Sequence, residues 1–257
     1  MDEKQRQHVV ELRLIHQKRL QVLESQAASF GLHAPPHVLT EIKDIKEKLA
    51  SIDTQLAESN QSLVIPAQIT LVILFLSTDP KDVSRLRWGE ELREIQERLQ
   101  LAKLRERFEL HQRMSVRPTD ISQALLDLQP QIVHFSGHGT SSGELCFENQ
   151  QGKVHLIHPD ALAELFEQFA KKVNCVVLNA CYSEIQANAI ARHIGYVIGM
   201  SQAIGDKAAI AFSVGFYQAL GAGSTIEEAY KLGCVQVRLQ GIPEYLTPVL
   251  INRGNAQ

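Results

Sequence analysis

The chain has 257 residues, of which 44% are hydrophobic and 21% charged, enough for one domain of ordinary size with an appendage. Its formal net charge of -3 argues against a general nucleic-acid or anionic-membrane partner. The four cysteines form no C-x-x-C pair and no zinc-finger spacing, so we expect neither a metal site nor a disulfide framework, and a reducing, cytoplasmic compartment. The charged N-terminus lacks the apolar core of a signal peptide, and the longest apolar runs are far shorter than a membrane span.

Apolar residues recur at helical spacing on both sides of Gly31, a residue type common just after a helix end. Pro35 and Pro36 then suit the start of a second helix. The apolar residues that follow advance in steps of four and three, the heptad spacing of a packing seam: Val38, Ile42, Ile45, Leu49, Ile52 and Leu56. The pattern predicts an antiparallel helical hairpin over residues 5–59, within an N-terminal domain of residues 1–60. It can be an accessory hairpin packed on the main domain or a protein-interaction module.

The remaining residues, 61–257, alternate strand and helix patterns and are predicted as a second domain. Strands are predicted at 69–76, 107–114 (an edge strand), before His138, before Cys181, at 196–200 and at 248–251. Helices are predicted at 86–104, 159–170, 184–193, 206–220 and 225–239, with a further helix capped by Thr119 and Asp120 and ending near Leu128. A β-hairpin is predicted at 144–157. This alternation predicts an α/β fold with a mostly parallel sheet and helices on both faces.

Two of the predicted strands stop abruptly at reactive side chains. The sequence QIVHFSGHGT ends a buried apolar run at His138, and VNCVVLNACYS ends another at Cys181. Because ligands of open α/β sheets bind beyond the carboxyl ends of the strands, we expect the two side chains to meet at one edge. A thiol beside an imidazole is an activated nucleophile with its base. His134, inside the strand, is expected to be buried and hydrogen-bonded.

The block H-F-S-G-H-G, followed after a hairpin and a helix by N-A-C-Y-S, resembles the CHAT family of caspase-like cysteine peptidases of clan CD. The resemblance covers residues 71–251 in the right element order, and the pairing of the two blocks is specific. It implies a caspase-like endopeptidase in which the Cys181 thiolate attacks a peptide carbonyl and His138 is the general base and acid. It also implies an oxyanion hole formed by the backbone N–H groups of Gly139 and Cys181. No third catalytic side chain and no cofactor are expected.

Asp79 and Asp206 are candidates for selecting the substrate. Both follow predicted strand ends or their loops, on the same edge as His138 and Cys181. By the same resemblance, caspases carry basic residues in these regions for an acidic P1 side chain, and the Arg/Lys-cutting relatives carry acids. Two acids here favour cleavage after a basic residue. The alternative is local, because Asp79 can start a turn and Asp206 can cap the helix after Gly205.

The N-terminal segment, with F-G-L-H-A-P-P-H and E-I-K-D-I, also resembles helical hairpins that head various bacterial conflict-system proteins. Such hairpins pair with like hairpins on other chains. The resemblance therefore implies a homotypic hairpin partner and a setting in bacterial defence or regulated cell death. Its partners would be a protein substrate, with an NTPase sensor or a pore-forming protein cleaved by the enzyme as the implied kinds.

Two other functions are weighed against the peptidase. A catalytically silent caspase-like adaptor would act through its helical hairpin alone, and the intact pair of Cys181 and His138 argues against it. A nucleotide-binding or receiver-type α/β domain would need different strand ends. The first strand is followed by neither G-x-G-x-x-G nor a Walker loop, and the third ends at His138 instead of an aspartate.

Overall fold

The computed structural model describes residues 12, 15–20, 22–24, 27, 35–60 and 70–253. The chain divides into two compact units, Met1–Ile65 and Pro66–Gln257.

The N-terminal unit contains helix α1 (Pro36–Asn60), which begins at a proline as expected. Residues 15–20 and 22–24 are also helical. A small apolar core joins the two segments, made by Leu23, Val38 and Ile45 with Leu20, Ala27, Ile42 and Leu49 packed against them. Of the predicted seam, Val38, Ile45 and Ile52 are buried, and Ile42 and Leu49 are partly buried. The side chain of Leu56 lies outside those described. The antiparallel hairpin over residues 5–59 extends into positions outside the described residues and stays a prediction.

The second unit is built on a six-stranded sheet with the order β2-β1-β3-β6-β7-β8. Its strands are β1 (Leu71–Ser77), β2 (Phe108–Arg113), β3 (Ile132–Ser136), β6 (Cys175–Asn179), β7 (Tyr196–Met200) and β8 (Pro248–Asn252). Only β8 runs antiparallel to its neighbour, so the mostly parallel sheet is confirmed. β3 and β6 are buried along their whole length, as their continuous apolar runs predict.

A separate two-stranded hairpin consists of β4 (Leu145–Glu148) and β5 (Val154–Ile157), which pair antiparallel. It matches the predicted hairpin. The helices of this unit are α2 (Trp88–Leu101), α3 (Pro118–Leu128), α4 (Pro159–Gln168), α5 (Glu184–Ala191), α6 (Asp206–Gly221) and α7 (Ile226–Leu239). None of the helices in the described part of the chain is long and apolar enough to cross a membrane.

Successive strand residues point to opposite faces of the sheet, and both faces are covered by helices. On one face, strand residues such as Val133 and Val176 share a core with buried residues of α3, α4 and α5. On the other face, His134 stacks on Phe75 and contacts Tyr217 of α6. The predicted α/β arrangement with helices on both faces is therefore present, and it fits a caspase-like fold.

The predicted cap of α3 is wrong. The helix begins at Pro118, with Arg117 as its N-cap, because proline is well tolerated in the first turn, where N–H groups lack helical partners. Asp120 is instead the third helical residue, and its carboxylate accepts a hydrogen bond from the Arg117 backbone N–H at 2.9 Å. Burial of apolar positions determines which face of the helix packs inward. The hydrogen bonds between Arg117 and Asp120 determine where the helix begins.

Candidate active site

His138 and Cys181 occupy equivalent positions on neighbouring strands. β3 and β6 run parallel in a register that pairs their last residues, Ser136 with Asn179. Each reactive side chain follows its strand end by two residues. The parallel register therefore places both at the carboxyl edge of the sheet, as the sequence predicts.

A cleft of about 380 Å³, part of it open to solvent, contains both side chains. His138 and Cys181 are half-buried in it. Its lining comes from the start of α2, the ends of β3 and β6, and the start of α6: Leu86, Arg87, Trp88, Glu91, Ser136, Gly137, His138, Asn179, Ala180, Cys181, Ile204, Asp206, Ala209 and Ile210. The thiol and the imidazole therefore face one shared space.

The loops after β3 and β6 are packed backbone against backbone. A Cβ built on Gly139 would lie 2.1 Å from the carbonyl oxygen of Cys181, a distance no side chain tolerates. The N–H of Gly137 donates to the carbonyl oxygen of Asn179 at 3.3 Å. Glycine at 139 is thus required for the two loops to meet. Among the described groups, none accepts a hydrogen bond from the N–H of Gly139 or of Cys181.

The orientation of the His138 ring is set by a main-chain group. Its Nε2 lies 2.7 Å from the carbonyl oxygen of Ser84, in the loop between β1 and α2. A carbonyl only accepts, so Nε2 carries the proton, and in the neutral ring Nδ1 is the atom able to take one. The His138 backbone is fixed as well, because its carbonyl accepts from the Cys146 N–H of β4 at 2.9 Å. The neutral ring is therefore held with its proton on Nε2 and with Nδ1 able to accept one.

The thiol of Cys181 is held by the segment before α6. The backbone N–H of Ile204 donates to its Sγ at 3.4 Å, and Sγ lies 3.6 Å from the Ile204 carbonyl oxygen. No hydrogen bond joins Sγ to His138 among the described contacts. Tyr182, the next residue, has a left-handed backbone with φ of 55°, so the chain turns sharply before α5 starts at Glu184. Cys181 therefore lies between the end of β6 and the start of α5 and belongs to neither element.

The cleft is also lined by a buried carboxylate, Glu91, which the sequence patterns above do not mark. Its Oε1 accepts from His134 Nε2 at 2.9 Å, from Asn179 Nδ2 at 2.5 Å and from Ser213 Oγ at 2.7 Å. Its Oε2 accepts from Ser136 Oγ at 2.6 Å. One carboxylate thus connects the ends of β3 and β6 with α6, in the cleft that His138 and Cys181 also line.

The charge of Glu91 is stabilised by these donors. Burial alone would raise its pKa, but the attraction and hydrogen bond of His134, with the bonds from Ser136 and Ser213, outweigh it, and the pKa lies below the ordinary 4.5. His134 itself is fully buried, with Nδ1 3.1 Å from the Tyr217 hydroxyl. The expectation that His134 is a buried, hydrogen-bonded histidine is confirmed.

The two predicted acids lie in different surroundings. Asp206 is the first residue of α6, after the N-cap Gly205, and lines the cleft with His138 and Cys181. Asp79 is not among the cleft-lining residues. Its carboxylate forms an ion pair with Arg85, and its backbone N–H donates to Glu148 Oε1 at 3.1 Å. The structure therefore brings one of the two acids to the reactive side chains.

Sequence reasoning missed Glu91 and the Ser84 carbonyl for different reasons. Glu91 falls on the apolar stripe of α2, with Leu92, Ile95 and Leu99 buried beside it. A charged residue on a buried stripe was therefore a usable signal. The Ser84 carbonyl is a main-chain group that every residue has, so the sequence does not indicate its role.

Comparisons with known proteins identify a family and two relatives. The model of the CHAT domain family matches residues 3–240, which include most of the N-terminal unit. A Roc-COR-CHAT protease from an unknown prokaryotic organism is 27% identical over 181 residues, 68% of this chain and 17% of its own length. A probable protease of Gillisia limnaea is 22% identical over 211 residues, 81% of this chain and 37% of its own.

The chain spans well under half the length of these two curated relatives. The family match, in contrast, extends over nearly all of the chain and contains both sequence blocks that end at His138 and Cys181. The chain belongs to the CHAT domain family.

Proposed function

We propose that the chain is a cysteine endopeptidase of the caspase-like clan CD type, with Cys181 as nucleophile and His138 as general base and acid. The proposal rests on the matching positions of the two residues. Each follows its strand end by two residues, the two strand ends are paired in the sheet, and both residues line one cleft. The protease names of the two relatives support the same class of reaction.

The geometry supports a two-step reaction. Nδ1 of His138 takes the thiol proton, and the sulfur attacks the peptide carbonyl carbon while the carbonyl electron pair moves to oxygen. Collapse of this intermediate breaks the C–N bond, and the imidazolium gives its proton to the leaving amine. His138 then removes a proton from a water molecule, whose oxygen attacks the thioester carbonyl carbon. The C–S bond breaks, the carboxyl product leaves, and the imidazolium returns its proton to the sulfur. The Ser84 carbonyl holds the ring and stabilises its charged form during both steps.

The N–H groups of Gly139 and Cys181 are proposed as the oxyanion hole. They lie on the two loops that pack against each other, and no described group accepts from either of them. Donors that are already fixed before reaction stabilise the developing negative charge, typically by about 3–4 kcal/mol each. The pair would therefore bind the carbonyl oxygen as it becomes anionic.

Cleavage is proposed to follow a basic residue, and Asp206 is the acid that selects it. Asp206 lines the cleft with His138 and Cys181, so we assign its carboxylate to the substrate side chain next to the attacked carbonyl. Asp79 already forms an ion pair with Arg85 and lies outside the cleft lining, so we assign it a structural role in its loop.

The setting proposed is regulated proteolysis in bacterial defence or cell death, in a reducing cytoplasm. The N-terminal unit would recruit a partner or a second copy, since Ile15, Val22 and Leu39 are large apolar residues left half-exposed or more. An NTPase sensor or a pore-forming substrate are the partner classes that the family resemblance suggests.

A catalytically silent adaptor is the second candidate, and one observation favours it. The Cys181 sulfur is hydrogen-bonded to Ile204, with no described bond to His138. In an active enzyme the dyad would have to close when substrate or a partner binds. Thiol reactivity and peptide cleavage together separate the two functions.

The test uses the full chain and two measurements. Alkylation by iodoacetamide reports thiolate reactivity at each cysteine, and a set of fluorogenic peptides that differ only at P1 reports cleavage. We expect Cys181 to react fastest, His138→Ala to slow that reaction, and Cys181→Ala to abolish cleavage. Cys234→Ala is the matched control, because Cys234 is also half-buried and burial raises the pKa of its thiol. Full cleavage by Cys181→Ala would refute the assignment, and a wild type that cleaves no peptide, even with its partner, would favour the adaptor.

A further inference from the structure

Residues 201–205, which connect β7 to α6, are bonded to the nucleophile and to its neighbour in the chain. The backbone N–H of Ile204 donates to Cys181 Sγ at 3.4 Å, and Sγ lies 3.6 Å from the Ile204 carbonyl oxygen. The Gln202 carbonyl oxygen accepts from the Tyr182 N–H at 3.1 Å. The position of residues 201–205 therefore determines where the sulfur is held.

A second segment, residues 243–247 between α7 and β8, bonds to both ends of residues 201–205. At one end, the Ser201 N–H donates to the Thr247 carbonyl oxygen at 2.9 Å. At the other end, the Gly205 N–H donates to Glu244 Oε1 at 3.1 Å. The Thr247 N–H donates to the Glu244 carbonyl oxygen at 2.9 Å, so both attachments belong to one turn. The turn and Cys181 are thus connected through residues 201–205.

The bond to Gly205 depends on the Glu244 side chain, whereas the bond to Ser201 depends on a main-chain carbonyl. Glu244 and Gly205 line a hollow of about 760 Å³, part of it open to solvent, which shares Arg87 and Asp206 with the active cleft. Residues 202, 203 and 205 are exposed, so little packing holds this part of the chain. Without the Glu244 bond, these residues have room to move beside the cleft.

We propose that Glu244 is a positioning residue that keeps the Cys181 sulfur bonded to Ile204, and so unpaired with His138, in the resting protein. When the bond from Gly205 to Glu244 is lost, Ile204 moves and the sulfur is released. One proton then passes from Sγ to Nδ1 of His138, which leaves a thiolate and an imidazolium. The inference rests on the proposed peptidase function and deepens it, because it names a residue that regulates the same nucleophile.

The test measures the rate at which iodoacetamide alkylates Cys181 in the full chain. Glu244→Ala removes the acceptor, and Glu244→Asp shortens the side chain by one CH₂, so both variants lose the bond from Gly205. Glu244→Gln retains an oxygen at the same reach and keeps the bond. We expect the alanine and aspartate variants to react about tenfold faster than wild type, the size of one hydrogen bond to a charged group. The glutamine variant should react at close to the wild-type rate.

Two further variants separate positioning from general loosening of the fold. Glu228→Ala is the matched control, because the Glu228 carboxylate also accepts a main-chain N–H, that of Thr225 at 2.9 Å, but lies outside the described lining of the cleft and of the hollow. Its rate should equal that of wild type. The double variant of His138→Ala and Glu244→Ala should lose the gain, because the released sulfur then has no base. Loosening alone would speed alkylation with or without His138.

The outcomes separate this inference from the proposed function. An unchanged or lower alkylation rate in Glu244→Ala overturns the inference, and so does a gain that persists without His138. If Glu244→Ala does not fold, as circular dichroism reports, Glu244→Asp gives the same comparison. A gain that depends on His138, in a variant that cleaves no peptide, supports the role of Glu244 while the peptidase proposal fails. Cleavage by wild type without any gain in the Glu244 variants has the opposite meaning.

Discussion

Gly139 approaches the main-chain carbonyl of Cys181 so closely that a Cβ on Gly139 would lie 2.1 Å from the carbonyl oxygen. Replacing Gly139 with alanine must therefore separate the two loops that carry the proposed oxyanion hole. We expect Gly139→Ala to reduce kcat/KM by about 100-fold or more, because small displacements of reacting groups have effects of that size. Peptide cleavage, together with circular dichroism to verify folding, measures it.

Gly89→Ala is the control for that substitution. A Cβ at Gly89 meets nothing within 4 Å, and Gly89 lies in α2, which also contributes to the cleft. Alanine there should leave activity unchanged and raise the free energy of unfolding by about 0.5–1 kcal/mol. An active Gly139→Ala protein would show that the contact between the loops is not needed for catalysis.

The buried carboxylate of Glu91 should make stability depend on acid pH. Its pKa in the folded protein lies below the ordinary 4.5, so its contribution to the free energy of unfolding is complete above about 4.5 and is lost as the pH falls through the folded value. Glu91→Gln should lack this acid-dependent loss and should be less stable at neutral pH, by about 3–5 kcal/mol, since it breaks a buried charged network.

Thermal unfolding of both proteins between neutral and acid pH measures that difference. Glu144→Gln is the matched control, because hydrogen bonds from Ser142 and Thr140 also lower the pKa of Glu144 but the carboxylate lies at the surface. Its stability should follow the wild-type pH profile closely. A Glu91→Gln protein with the wild-type profile and stability would contradict the assigned charge.

Asp206 and Asp79 should differ in their effect on selectivity. Asp206→Asn removes a charge from the cleft wall, and it should lower kcat/KM for basic P1 residues by about tenfold or more relative to norleucine. Asp79→Asn loses its ion pair with Arg85 outside the cleft and should preserve the ratio. The test is kcat/KM of both variants on peptides that differ only at P1. Equal losses of kcat/KM for basic residues in the two variants would show that the acids affect cleavage through the fold and not by contact with the substrate.

The N-terminal unit should not be needed for the reactivity of Cys181. The sheet of the second unit begins at Leu71, so deletion of residues 1–60 should leave a folded domain in which Cys181 still reacts with iodoacetamide. It should abolish association with a partner or with a second copy. Light scattering after chromatography gives the mass, and circular dichroism melting reports folding. Unfolding of the truncated chain would show that the first unit belongs to the core.

The sequence predicts the sheet and the placement of His138 and Cys181 because both follow from one local signal, an apolar run that ends at a turn. It does not predict Glu91 as part of the site, since partners from β3, β6 and α6 that stabilise its charge are distant in sequence. Helix starts are also weakly determined: α3 begins at Pro118 and not beyond it, because Arg117 and Asp120 exchange hydrogen bonds.

The hydrogen bond between His138 and Ser84 makes the site depend on loop length. Because the acceptor is a peptide oxygen, a substitution at position 84 that keeps the backbone conformation keeps the acceptor. The loop that carries Ser84 is fastened to the β4–β5 hairpin, where Lys81 N–H donates to the Gly152 carbonyl at 2.9 Å and Val154 N–H donates to Asp82 at 2.9 Å. One residue added or lost between Asp82 and Trp88 would move the oxygen away from the ring, so the number of residues in the loop sets its position and the side chain at position 84 does not.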